Sequence, residues 1–260
     1  MLKELLFTLG LNVRGQSQAA DVLDIIRKLR PKDCGKDLIR IGGNGDGGYL
    51  IPDDLEGIEY CFSPGVGPMA DFENDLADRG IRSFLADYSV DSPPLTRPEF
   101  TFDKKFLGST DSGPFITLAS WKDKYLMSYT GDMILQMDIE GFEYQVLVNT
   151  PDKLLNQFRI IVIEFHSLHR LFDLFDYGLF LSCFGKLLEN FYVVHAHPCN
   201  SSDSVTKGNI KVPRLMELTF LNKRRVTCAK PQRVFPHKLD ADCTRARPPL
   251  ALPKCWYDES

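Results

Sequence analysis

The chain has 260 residues, 43% hydrophobic and 25% charged, with a formal net charge of −4 at pH 7. That length suits one large α/β domain with a substantial core, and the acidic balance argues against a protein that holds nucleic acid by general electrostatics, which needs clustered Lys and Arg. Seven cysteines with no CxxC pair suit reduced thiols, and no apolar run reaches the roughly 18 to 20 residues of a membrane span, so a cytoplasmic protein without a membrane span is expected.

The N-terminal MLKELLFTLGL carries Glu4 beside Lys3 and no small-residue cleavage site, unlike a signal peptide. Residues 1–10 and Ala19–Leu29 read as a helical cover, the second with Val22, Ile25, Ile26 and Leu29 at helical spacing and Pro31 closing it. In DLIRIGGNGDGGYLIP, five glycines between Gly42 and Gly48 separate two β-like runs, as in a hairpin or a ligand-facing loop.

From residue 58 strands and helices alternate. IEYCFS predicts a strand, MADFENDLADRG a helix ended by Gly80, and IRSFLADYS a second strand. Thr101–Leu107 and the Ile116–Leu118 region give a third strand and its crossover, Met133–Met137 a fourth, and Phe142–Val148 begin its helix. Phe158–Phe165 predicts a fifth strand, and Leu168–Leu188 a helix that Gly178 and Gly185 could bend. Tyr192–His195 and Leu215–Leu221 supply the last two strands, joined by a polar connection. This pattern implies a doubly wound, mostly parallel sheet with helices on both faces. The basic cluster Lys223–Arg225 reads as a solvated turn between late strands. After Cys228, five prolines and six Lys or Arg between Lys230 and Lys254 predict an extended tail, packed on the domain or partly disordered. The organisation expected is therefore 1–57 as cover and Gly-rich loop, 58–228 as core and 229–260 as tail.

In such a sheet, ligands sit outside the carboxyl ends of the strands. The first strand runs into Ser63-Pro64-Gly65-Val66-Gly67, where glycines admit a ligand close to the backbone and a helix expected to follow at once offers free amides. Asp87 ends the second strand, twenty residues beyond Gly67, where a carboxylate can accept both hydroxyls of an adenosine ribose. These features fit a dinucleotide or S-adenosylmethionine, and Gly65-x-Gly67-x-x-Ala70 satisfies the relaxed dinucleotide fingerprint. The acids Asp138, Glu140 and Glu164 at the next strand ends favour a site that orients a methyl acceptor.

FSPGVG, the acid in LADYS, QMDIEGFEYQVL and VIEFH, in this order and spacing, resemble the FkbM-type S-adenosylmethionine-dependent methyltransferases over roughly residues 38–222. RIGGNGDGGYLIP is similar to a feature of one branch of that family. The resemblance implies a seven-strand, Rossmann-like class I methyltransferase fold with its last strand antiparallel, acting mostly on oxygen in sugars, glycolipids or natural products. It also implies that Gly65, Val66 and Gly67 line the methionine part of the cofactor, that Asp87 with Tyr88 holds the ribose, and that Asp138 lies near the cofactor's amino group or a metal. Ser63-Pro64 stands where many methyltransferases have an acid and a further glycine.

Two devices could take the acceptor's proton. His166, at the end of the fifth strand, is a candidate general base with Asp138 and Glu164 beside it. Alternatively Asp138, Glu164 and His166 hold a divalent cation, Mg or Mn by their oxygen-rich chemistry, with His195 or His197 nearby. Asp46, Tyr49, Glu140 and His195 are candidates for binding the acceptor, with Glu140 alternatively capping the turn that follows it, and Trp121 and Trp256 read as packing residues. The expected activity is O-methyl transfer to a hydroxyl of a sugar or sugar-linked small molecule. An NAD(P)-binding oxidoreductase and a non-catalytic binding protein are the rivals, and the acceptor and oligomeric state stay open.

Overall fold

The computed structural model describes residues 7–8 and 15–258, so the helical cover expected at residues 1–10 lies largely outside the described residues. Helix α1 (Ala19–Lys28) buries Val22, Ile25 and Ile26, the single apolar stripe its spacing encodes. Strand β1 (Lys32–Asp33) follows, and β2 (Leu38–Ile41) pairs antiparallel with β3 (Tyr49–Pro52) across the glycine-rich loop.

The central sheet begins with β4 (Tyr60–Pro64), helix α2 (Asp71–Ala77), β5 (Arg82–Ala86) and β6 (Phe100–Asp103). A short parallel pair, β7 (Phe106–Leu107) and β8 (Phe115–Ile116), precedes helix α3 (Leu118–Leu126), which Thr117 caps by accepting the Ser120 amide. Next come β9 (Met133–Met137), α4 (Glu143–Asn149), α5 (Asp152–Leu155), β10 (Phe158–Phe165), α6 (Leu174–Asn190) and β11 (Phe191–Pro198). A hairpin of β12 (Ser204–Lys207) and β13 (Ile210–Pro213) leads into β14 (Met216–Asn222), and β15 (Lys230–Pro231) pairs with β1.

Seven strands form the sheet, in the order β11-β14-β10-β9-β4-β5-β6, and only the pairings made by β14 are antiparallel. From β4 the chain winds outward through β5 and β6, then crosses back to β9 and β10. The crevice at the ends of β4 and β9 is thus the topological switch point where such sheets bind ligands. Helices lie on both faces, unequally. Residues of α1, α3, α4 and α6 pack with Leu135, Ile161, Leu218 and their neighbours in the larger core. The opposite face carries the β2–β3 hairpin and α2, with Ile41, Tyr49, Phe72 and Leu76 against Ile134 and Val162. No helix among the described residues is long and apolar enough to cross a membrane.

Three local expectations change, and the tail takes one of its two expected forms. The third strand stops at Asp103, whose carboxylate accepts bonds from Trp121 Nε1 (2.8 Å) and Tyr125 OH (2.9 Å) and pairs with Lys124, tying the strand end to the crossover helix. The Leu168–Leu188 helix divides at Asp173 rather than bending at a glycine: a 3₁₀ turn over Leu168–Phe172 ends there, and Asp173 caps α6 by accepting the Phe175 amide at 2.9 Å. Lys223–Arg225 lies between β14 and β15, but it is more than a solvated turn, since Arg224 pairs with Asp132 and Arg225 grips Asp54 with two bonds of 2.8 and 2.7 Å. The tail packs on the domain. Trp256 is fully buried and donates to the Lys211 carbonyl at 3.1 Å; Trp121 is equally buried, so both tryptophans are packing residues.

Candidate active site

A cavity of about 580 Å³ opens at the switch point. Its floor is made by the turn Gly65–Gly67 after β4, Asp87 after β5 and Asp138 after β9, and Asp46 and Tyr49 from the β2–β3 hairpin form one wall. The opposite wall is aromatic, with the Phe115 ring 5.8 Å from both Phe106 and Phe142. Five carboxylates line the cavity, those of Asp46, Glu73, Asp87, Asp138 and Glu140, and among the described residues no Lys, Arg or His does. At such short range and reduced dielectric, this lining favours a cationic ligand and resists an anionic one.

Gly65 is required by backbone approach. Its φ is +88°, and a Cβ there would stand 1.5 Å from the Asp138 carbonyl oxygen. The helix does not follow the turn at once: residues 68–70 intervene before α2 begins at Asp71. The Gly67 amide donates to Asp87 Oδ2 at 2.9 Å, and the amide and hydroxyl of Ser89 both donate to Oδ1 at 2.7 Å. Three donors therefore fix the Asp87 carboxylate in place before any ligand arrives. Val66 lines the cavity, whereas Tyr88 is outside the lining, half-exposed with its ring 5.2 Å from Phe106. Tyr49 is buried, edge-on to Phe72 at 5.7 Å, with its hydroxyl accepting from Gln136 Nε2 at 3.4 Å.

At the end of β9 the turn is held by Glu143, not by Glu140. The fully buried Glu143 accepts the amides of Ile139 (3.2 Å) and Gly141 (2.9 Å) on Oε1, and the same oxygen meets His166 Nδ1 at 3.0 Å. Glu140 instead sits at φ +56°, a left-handed conformation costly for a residue with a long side chain. That twist brings its carboxylate to 3.3 Å from His166 Nε2, with Asp138 Oδ1 at 3.8 Å from the same nitrogen. Burial works to lower the His166 pKa, but the hydrogen bond and charge of Glu143, helped by Asp138 and Glu140, raise it to about 9. That direction favours the charged imidazolium over the neutral ring expected of a general base. Burial pushes Asp138 up to about 7 even though His166 pulls it down. Asp138, Glu140 and His166 offer ligand atoms within 4.8 Å of one another, a set that one cation could bridge; Glu164, expected in it, is not a member.

Glu164 belongs to a second polar band on the hairpin-covered face. It faces Glu217 across β10 and β14, and Glu217 faces His197 across β14 and β11. Burial raises Glu164 well above the usual carboxylate range and Glu217 to about 7. Glu164 makes no pair with Arg170, which binds Asp176 with bonds of 2.8 and 2.6 Å. His195, expected to bind the acceptor, lies outside the cavity lining and pairs at 2.8 Å with Asp240 from the tail, while His197 lies 3.6 Å from the same carboxylate. Burial works to raise the Asp240 pKa, but the two adjacent histidines hold it below the usual carboxylate range. The sequence reading missed Glu73, Gln136, Glu143, Glu217 and Asp240. A signal existed for Gln136 and Glu217, each a polar residue interrupting an apolar strand.

Residues 126–187 match the family model of the methyltransferase FkbM domain. That segment is similar to the FkbM methyltransferase domain. It contains Asp138, Glu140, Glu143, Glu164 and His166, which join the ends of β9 and β10 to the start of α4. The strand order, with its antiparallel last strand, is that of the class I methyltransferase fold. Similar solved structures include a protein assigned as a DNA modification methyltransferase encoded within a prophage (E. coli), at TM-score 0.41 and 10% identity over 64% of this chain and 47% of that one. This chain thus spans less than half of that relative's length. The fibrillarin/Nop5p complex is similar at TM-score 0.38 and 12% identity, over 65% of this chain and 74% of that one. No curated protein sequence matches the chain.

Proposed function

We propose that the chain is an S-adenosylmethionine-dependent O-methyltransferase acting on a hydroxyl of a sugar or sugar-linked small molecule. The acid-only cavity carries this reading. S-adenosylmethionine presents a sulfonium, an ammonium and a ribose diol, which carboxylates stabilise, and its net charge stays positive despite the carboxylate of its aminoacyl arm. The pyrophosphate of NAD(P) would instead meet five acids and no cation, and a nucleic-acid backbone would be repelled likewise. The FkbM family match supports the same reaction class. Asp87, held by Gly67 and Ser89, accepts the ribose hydroxyls, and the turn Gly65–Gly67 accommodates the methionine arm.

The methyl donor carries the reactive carbon, so the protein's work is alignment and proton removal. Asp138, with a pKa near 7, is matched to accept a hydroxyl proton at neutral pH. His166, anchored by Glu143, steadies the resulting charge. Asp46 and Glu140, flanking Asp138 in the lining, provide acceptors for neighbouring sugar hydroxyls.

The convergence of Asp138, Glu140 and His166 favours a second reading, in which these groups hold a divalent cation such as Mg or Mn that orients two hydroxyls and lowers the acceptor's pKa. His166 would then give up its proton to serve as a ligand. Calorimetry with S-adenosylhomocysteine and with NAD tests the cofactor: binding of NAD alone sinks the proposal. Methyl transfer to sugar nucleotides and glycosides, with EDTA and with added Mg or Mn, tests the acceptor class and the cation together. Binding of S-adenosylhomocysteine without turnover on any acceptor would instead support a non-catalytic binding protein.

A further inference from the structure

The strand end after β4 has Ser63 where many methyltransferases carry an acid, yet a carboxylate is present there. Glu73, one turn into α2, is buried and reaches back toward the sheet, so that Ser63 Oγ bonds Glu73 Oε1 and lies 2.6 Å from Gln136 Oε1. Ser63 has one hydroxyl proton and cannot donate it to both acceptors. Glu73 has no cationic partner among the described residues, and it lines the cavity together with Gln136.

We propose that the Glu73 carboxylate binds the α-ammonium group of the methyl donor's aminoacyl arm, replacing the acid that the strand end lacks. The proposal rests on the S-adenosylmethionine reading above and deepens it. An ammonium brings further donors and a positive charge to a buried carboxylate whose hydrogen bonds only partly offset its burial. Burial pushes Glu73 up to about 7, so the empty cluster readily takes a proton, and the ligand's N–H groups replace it. Asp87 lies after the neighbouring strand β5 and is already engaged by three donors, which assigns it to the ribose and leaves Glu73 for the arm.

Two ligands separate this role from a structural one. S-adenosylhomocysteine carries the aminoacyl arm, and 5′-methylthioadenosine has the same nucleoside and sulfur without it. Titration calorimetry on the full chain is expected to show Glu73→Gln weakening S-adenosylhomocysteine by about 10- to 100-fold, the range of a charged hydrogen bond, with methylthioadenosine changed less than about 2-fold. Glu73→Asp, which keeps the charge but retracts it, is expected to give an intermediate loss for S-adenosylhomocysteine alone. Equal weakening of both ligands, or no weakening of either, overturns the assignment of Glu73 while leaving the methyl-donor reading in place. A wild-type protein that binds neither ligand overturns that reading and this assignment together.

Discussion

Glu73→Gln is expected to make the protein more stable above pH 7 while making it a poorer binder of the donor. In the folded chain burial raises Glu73 from 4.5 to about 7. At 1.36 kcal/mol per tenfold change in acidity, ionising it inside the fold costs about 3 kcal/mol more than in the unfolded chain. Between those values the unfolded chain has lost the proton and the folded chain retains it. The unfolded state thus binds fewer protons, and stability falls as pH rises from about 4.5 to about 7. Glutamine keeps the shape and can bond Ser63 Oγ through its amide, but it has no such dependence. Urea denaturation of both proteins at half-unit steps from pH 4.5 to 8 reads this directly. The variant's advantage should grow by about 3 kcal/mol across the series. Parallel stability curves would show that Glu73 is not the buried, proton-holding acid described here. Gain in stability with loss of affinity marks a residue kept for function at a cost to the fold.

Gly65→Ala should cost at least about 3 kcal/mol in urea unfolding, because the added Cβ meets the Asp138 carbonyl at 1.5 Å and φ is positive. Asp138→Asn is expected to lower kcat at least about 100-fold, with S-adenosylhomocysteine affinity within a few-fold of wild type, since the loss falls on proton transfer; retained turnover would remove Asp138 from the mechanism. Asp54→Ala should destabilise by roughly 3 kcal/mol, as it strips Arg225 of two hydrogen bonds and Lys36 of its 3.2 Å partner; thermal unfolding checks this by a Tm drop of roughly 6–12 °C. Trp256→Ala should cost about 3–5 kcal/mol and expose the tail to limited proteolysis, given that the ring is fully buried.

The sheet was legible because its strands are short apolar runs ended by glycine or acid, and the switch point followed from their order. Asp87 and Asp138 were legible for the same reason, as each is the first carboxylate after a buried strand. Glu73 and Glu143 were not. Both sit in the first turn of a helix, where acids are common on solvated faces, and only packing turns them inward, to Ser63 in one case and to His166 in the other. His166 was placed at the correct edge, but its charge state depends on Glu143, Asp138 and Glu140 meeting around one ring, which no local pattern announces. His195 was misassigned for a long-range reason. A register irregularity in β11 after Val193 puts it on the face that the hairpin covers, and its partner Asp240 arrives from the tail.

The family segment and the cavity are not the same object, and the difference bears on how the site works. Residues 126–187 bring Asp138, Glu140, Glu143 and His166, the groups proposed to handle a proton or a cation. Asp46, Gly65, Glu73 and Asp87, which line the cavity proposed for the donor, all come from earlier in the chain. The two halves meet where the Asp138 carbonyl abuts Gly65 too closely for any side chain, so the acceptor's base is fixed to the donor's turn by backbone contact. That contact opposes a shift of β9 against β4, which would part the proposed base from the donor's turn. In-line methyl transfer demands such alignment, and a glycine that looks like a ligand-binding device thereby acts first as the joint between two parts of the site.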